Sequence, residues 1–256
     1  MSVKVLREDG GAIVRLTIDA GKGNIITGAV MRALAEELGV AKKDEKVRCV
    51  VLDAAGPDFS FGASVEEHLP AQAKAMIETF TALIRAMIEL PVPLLVAVRG
   101  RCLGGALEVA LAGSRIFAHP SAKLGQPEVK LAVFAPPASV LLPIRVGQAK
   151  AEDLLLSGRS VEAAEAAAMG LVDQLCAAEA DPTQEALAYA RKTFLSGSAS
   201  SLRFATRAAR AGFVSYVKPL LAEVERLYLV ELMATPDARE GIEAFIGKRA
   251  PKFQGA

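Results

Sequence analysis

The chain of 256 residues has no tryptophan, only two histidines and only three cysteines. With His68 and His119 alone, a histidine-built metal centre or a Ser-His-Asp triad is short of parts. Cys49, Cys102 and Cys176 are scattered and odd in number, which fits neither a disulfide framework nor a zinc site. There is no excess of charge: 30 Lys and Arg oppose 29 Asp and Glu, a net charge of +1. Nothing global therefore draws the chain to nucleic acid or to an anionic membrane. No uninterrupted apolar run approaches the roughly 18 residues of a spanning helix. The opening "MSVKVLREDGG" lacks the apolar centre of a secretory signal. These absences predict a cytoplasmic protein without a metal.

What is present is a large apolar fraction, 52%, enough for one large α/β core. "AIVRLTID" reads as a strand and "TGAVMRALAEELGVAKKD" as an amphipathic helix. "VRCVVLDAAG" reads as a buried strand. The apolar positions Met76, Ile77, Phe80, Leu83, Ile84 and Met87 have helical spacing, closed by Pro91 and Pro93. "LLVAVRG" and "RIFAH" follow as strands, and "KLAVF" is read as a further short one. Beyond Ser157 the strand signal fades, and helical patterns dominate to Arg249. Strands separated by helices predict a largely parallel arrangement.

Three segments carry candidate chemistry. In "GPDFSFGASVEEH", Phe61 and Gly62 stand just before an expected helix start, where backbone N–H groups lack partners. There Ser64 and Glu67 have the spacing of a capping box. In "VRGRCLGGALEVALAGSRI", Gly104 and Gly105 open an Ala/Leu-rich helix. Glu108 sits in its apolar first turns, where burial would raise its pKa toward the range of proton transfer. In "KLGQPEVKLAVFAPPAS", Glu128 lies between a proline and an apolar run. By itself it reads more readily as a solvated loop residue.

Taken together, "FSFGASVEE", "VRGRCLGGALEVA", "LGQPEVKLAV", "GRSVEAAEAAAMGLVDQL" and "EGIEAFIGKRAPKF" resemble the enoyl-CoA hydratase (crotonase) superfamily in order and approximate spacing. The resemblance runs from Gly23–Asn24 to the C-terminal "GKRAPKF". It implies an α/β fold, a spiral of ββα units over residues 1–195, with a helical trimerisation region over 196–256. It implies a homotrimer or a dimer of trimers acting on an acyl-CoA thioester. No cofactor is expected, coenzyme A being part of the substrate. By motif position, Phe61 and Gly105 would supply two backbone N–H groups to a thioester oxyanion. Such a donor is typically worth on the order of 3 kcal/mol in the transition state. Glu108 and Glu128 match the family's paired glutamates, which favours addition of water or its reverse, one taking a proton and the other giving one. Ala63, Phe134 and Pro136 would bind substrate, and Lys248 would lie near the coenzyme A phosphates.

Three departures from the family pattern matter. Ser64 stands where Asp is common. Phe61 is bulky where small residues are usual. "FAPPASVLL" replaces a glycine-rich segment, and Pro136 and Pro137 fix φ and remove N–H donors. A stiff, apolar pocket suggests a shaped substrate, and the closest resemblance is to members that add water 1,4 across a cyclic dienoyl thioester. An ordinary 2-enoyl-CoA hydratase or a dienoyl-CoA isomerase is the alternative. The stripe Arg203, Arg207 and Arg210 leaves a remote RNA-binding reading.

Overall fold

The computed structural model describes residues 2–255. Strands β1 (Val3–Glu8) and β2 (Ile13–Ile18) form an antiparallel hairpin across a turn in which Gly10 and Gly11 take positive φ. β2 then pairs in parallel with β3 (Cys49–Ala54), β3 with β4 (Leu94–Val98), β4 with β6 (Arg115–Ala118), and β6 with β9 (Gln174–Leu175). A second sheet joins β5 (Arg101–Leu103), β7 (Lys123–Gly125) and β8 (Ser160–Glu162) in that order. The helices are α1 (Gly28–Lys43), α2 (Pro70–Ile88), α3 (Gly105–Leu111), α4 (Pro136–Val146), α5 (Gln148–Ser157), α6 (Ala163–Ala168), α7 (Pro182–Phe194), α8 (Ala199–Arg226) and α9 (Pro236–Ile246).

The period of two along the strands divides the core. Val50 and Leu52 of β3, with Leu94, Val96 and Val98 of β4, face the main core, which α1, α2 and α3 supply. Their neighbours Cys49, Val51, Leu95 and Ala97 face the opposite way, onto Ala186, Leu187 and Ala190 of α7. Covering both faces explains why β3 and β4 read as continuous apolar runs rather than as alternating ones. α2 enters at Pro70, where a missing N–H is harmless, and buries Phe80, Leu83 and Ile84. Each such side chain contributes about 1.5–3 kcal/mol by leaving water.

The outer face of the sheet carries one buried charge, Asp53, which is fully partnered. Arg15 reaches it at 2.6 Å, Thr17 Oγ1 donates at 2.6 Å, and Thr183 Oγ1 donates from α7 at 2.9 Å.

Two sequence expectations need correction. "KLAVF" is not a strand, because Pro127–Leu131 forms a 3-10 turn that ends at Ala132 in the left-handed region. Strands also do not stop at Ser157, since β8 and β9 follow. The helical C-terminal part is as expected, and its core is continuous with the rest: Val217, Leu221 and Ile242 join the cluster that contains Phe80 and Leu107. α8 is docked by arginines that reach helix ends. Arg203 donates to the Asp44 and Val47 carbonyls beyond α1, and Arg210 to the Met87 and Ile88 carbonyls closing α2. Two of the three arginines in the basic stripe are thus spent inside the fold, and Arg207 lies over the Phe204 ring.

Candidate active site

The second sheet brings the candidate groups together. β5 and β7 are parallel with Leu103 opposite Gly125, so the residues that follow each strand emerge side by side. After β5 come Gly104, Gly105 and α3, and after β7 come Gln126, Pro127 and Glu128. The Gly104 N–H donates to the Gly125 carbonyl at 2.9 Å and ties the two exits. The segment Phe59–Ser60 lies along the other side of β5, with Ser60 bridged to Cys102.

Gly104 takes φ 54° and ψ −129°, which only glycine adopts readily. A Cβ there would stand 2.4 Å from Glu128 Oε1, so the glycine also leaves room for that carboxylate. From the first turns of α3, Glu108 points inward with only 3% exposure. Its Oε1 accepts the Ala138 N–H at 2.8 Å. Pro136 and Pro137 occupy the first positions of α4 and have no N–H, so Ala138 carries the first donor of that helix. The double proline therefore helps to aim α4 at Glu108.

Burial raises the Glu108 pKa well above the usual carboxyl range, the Glu128 charge raises it further, and the Ala138 N–H opposes both. Glu128 is pushed up to about 7, chiefly by burial. The Gln126 amide, oriented with its NH₂ toward Glu128, donates to the two carboxylate oxygens at 3.2 and 3.0 Å. Two neighbouring carboxyls with raised pKa values hold a proton between them near neutrality, the state that acid–base work requires.

The donor expected at Phe61 is corrected by the hydrogen bonding. The Phe61 N–H is spent on the Gly23 carbonyl at 2.9 Å, and the Gly62 N–H on Ser60 Oγ at 3.0 Å. Gly62, at φ 108°, turns the chain between Phe61 and Ala63. Ala63 is bridged to Ile26 through the flanking Gly62 carbonyl and Ser64 N–H, so its own N–H points the other way. That side is occupied by Gly105: a Cβ on Gly105 would stand 3.1 Å from the Ala63 nitrogen. Among the described residues neither the Ala63 nor the Gly105 N–H has a backbone acceptor, so these two form the adjacent donor pair. The Phe61 side chain, 37% exposed, packs instead against Gly23 and lies 4.8 Å from the Arg101 guanidinium.

These groups open onto a cavity of about 310 Å³. Its walls include Met76, Ile77 and Phe80 of α2, Phe134 and Pro136, and Ile242 and Phe245 of α9, all from this one chain. Ala63, Phe134 and Pro136, expected to bind substrate, line this cavity. Lys248 does not line it; it lies exposed beyond the end of α9, at φ 51°. The capping box is also replaced: Ser64 Oγ donates to Glu66, while Glu67 accepts the Gly28 N–H and caps α1. Sequence reasoning passed over His68, Gln126 and Ala138. Gln126, preceding "PE" at the end of a strand, carried a readable signal; Ala138 carried none. Among the described residues no three His, Cys, Asp or Glu side chains cluster as metal ligands, and no helix is long and apolar enough to cross a membrane.

A sequence profile described as "Enoyl-CoA hydratase/isomerase" matches residues 8–256. The chain belongs to that family. Among curated relatives, "Cyclohexa-1,5-dienecarbonyl-CoA hydratase" of Thauera aromatica is 51% identical over 98% of this chain and 96% of that protein. "Methylglutaconyl-CoA hydratase, mitochondrial" of Rattus norvegicus is 33% identical over 100% of this chain and 83% of that protein. The crystal structure of an enoyl-CoA hydratase/isomerase from Pseudoalteromonas atlantica T6c superposes with a TM-score of 0.88 at 29% identity, covering 99% of this chain and 100% of that one. The enoyl-CoA hydratase/isomerase fold is thus the fold of this chain, and an acyl-CoA thioester is the substrate class that fits its site.

Proposed function

We propose that the protein adds water to cyclohexa-1,5-diene-1-carbonyl-CoA, giving 6-hydroxycyclohex-1-ene-1-carbonyl-CoA. The observation that carries this reading is the pair of raised-pKa carboxyls, Glu108 and Glu128, on an apolar cavity beside two adjacent N–H donors. The 51% identity to the Thauera hydratase supports the substrate. The cavity volume agrees with it: an apolar space of about 150 Å³ holds benzene, and about 310 Å³ leaves room for a six-membered ring and its thioester.

The Ala63 and Gly105 N–H groups hold the thioester oxygen and stabilise the negative charge that builds there. The ionised member of the carboxyl pair takes a proton from water as the oxygen attacks C2. The resulting dienolate spreads through C1 and C6 to C5, and the protonated member delivers its proton to C5. One double bond remains conjugated with the thioester. C2 and C5 lie across the ring, which suits carboxyls arriving from two separate strand ends. By analogy with the family, Glu108, which accepts the Ala138 N–H, serves as the base and Glu128 as the acid. Coenzyme A enters as part of the substrate and no other cofactor takes part.

The same reading places the protein in the cytoplasm as a homotrimer or a dimer of trimers. It is supported by large apolar side chains exposed on the helical part, among them Phe204 (67%), Tyr216 (59%) and Val230 (61%). Incubation with a panel of acyl-CoA thioesters, followed by mass analysis for gain of water, tests the reaction. Faster turnover of crotonyl-CoA than of the cyclic diene would return the protein to the ordinary 2-enoyl-CoA hydratases.

A further inference from the structure

Gln126 is buried between the end of β7 and the turn that carries Glu128. A buried primary amide needs partners for its polar atoms, and an apolar side chain would fill the same space without that demand. The backbone that bears it is held from both sides. Gly125, just before it, accepts the Gly104 N–H at 2.9 Å, and β7 pairs with both β5 and β8. Pro127, just after it, has the fixed φ of proline. The amide and the Glu128 carboxyl thus leave one short, stiff stretch of chain.

The two groups are in direct contact. With its NH₂ toward Glu128, Gln126 Nε2 lies 3.2 Å from Oε1 and 3.0 Å from Oε2. The opposite orientation would set the amide oxygen against the carboxylate and the NH₂ against donors alone, so protonation of Glu128 would mend only half of it. An amide NH₂ donates and cannot accept. To the ionised carboxyl it gives charge-assisted hydrogen bonds. From the neutral carboxyl it can take nothing, so a proton on Glu128 finds no acceptor in Gln126. Glu128 lines the cavity, whereas Gln126 is not among the residues of its wall. The other titratable groups facing the cavity are Glu108 from α3, Lys130 on the Glu128 turn, and His68, which burial keeps neutral.

We propose that Gln126 is a positioning residue that acts through Glu128. Its NH₂ steadies the anion left when Glu128 gives up its proton. Being unable to accept that proton, it also keeps it directed at the cavity and the substrate. The inference rests on the acid–base reading of Glu128 given above, and it is tested by a measurement that needs no turnover.

Carboxyl titration by ¹³C NMR on glutamate-labelled full-length protein, with Glu128→Gln to assign the signal, is compared between wild type and Gln126→Met. Loss of a donor to the anion should raise the Glu128 midpoint by about one pH unit. In hydration assays kcat should fall about tenfold with KM within twofold, and the alkaline limb of the pH profile should move up in parallel. Where Gln126→Met fails to fold, Gln126→Glu keeps the shape and exchanges the donor for a second ionisable acceptor. It should raise the midpoint at least as far, through like charge. An unchanged Glu128 midpoint in either folded variant overturns the inference, even if hydration itself is established. So does a raised midpoint in an active enzyme whose kcat and alkaline limb stay in place. A raised midpoint in a protein whose wild type hydrates no thioester would sustain the Gln126–Glu128 pairing and overturn the proposed reaction instead.

Discussion

Glu108→Gln and Glu128→Gln preserve shape while removing the ionisable proton. Each should lower hydration by about 10²–10⁴-fold with coenzyme A binding retained. The double variant should lose far less than the product of the two, because both serve one transition state; near-normal turnover in either single variant would refute the assignment. Gly105→Ala puts a methyl 3.1 Å from the Ala63 nitrogen. It should cost about 10²–10³ in kcat by crowding the donor pair. Glu128 also leaves a signature in stability. Folded, it keeps its proton up to about pH 7, whereas an ordinary glutamate releases it near 4.5. The native state therefore binds more protons in that window, and the Glu128 contribution, full below pH 4.5, is lost as pH rises to about 7. Glu128→Gln should abolish that loss, so its melting temperature relative to wild type should climb between pH 5 and pH 8. At this scale Glu108 was legible because a carboxylate among apolar residues is conspicuous, and Glu128 only through its match to the family's paired glutamates. The donor beside Gly105 was not: Phe61 and Ala63 both precede a helix, and only the φ of Gly62 decides which N–H turns inward.

Among the elements, the helices and long strands were readable and the short pieces were not. α2 shows five turns of apolar spacing and β4 a run of five buried residues. β8 has three residues and β9 two, too few for any period to show. β1 was passed over because four of its six positions are exposed and charges interrupt it. The Ser64–Glu67 spacing misled for a different reason: Glu67 caps α1, 39 residues away along the chain, a partner that local pattern cannot reveal. Long-range polar contacts of this kind hold α7 as well, through Thr183 and Asp53. Asp53→Ala strands Arg15 and both threonines and should destabilise the protein by about 3 kcal/mol. Denaturant melts should record that loss while KM for the thioester stays unchanged, since the network lies on the face of the sheet covered by α7.

For the whole molecule, the exposed apolar side chains of the helical part call for a cover. Sedimentation should find a trimer or a pair of trimers, and a monomer across a wide concentration range would count against it. The apolar walls of the cavity, with Phe134 and Pro136 on one side and α9 on another, should favour a flat ring over a flexible chain. The cyclic diene thioester should then be hydrated far faster than crotonyl-CoA. In heavy water the new deuterium should sit at the carbon across the ring from the new hydroxyl. Deuterium at the carbon bearing the thioester would refute the 1,4-addition while leaving the substrate intact.

The bond from the Ala138 N–H to Glu108 has one more consequence. Because the two prolines before it carry no N–H, Ala138 is the one amide at the mouth of α4 that touches the reacting carboxyl. Its proton resonance should move downfield when Glu108 is anionic and return upfield when the carboxyl is protonated. The protein thus contains an intrinsic spectroscopic reporter of its catalytic proton, readable in the amide spectrum of the ¹⁵N-labelled protein without dye or substitution at the site itself.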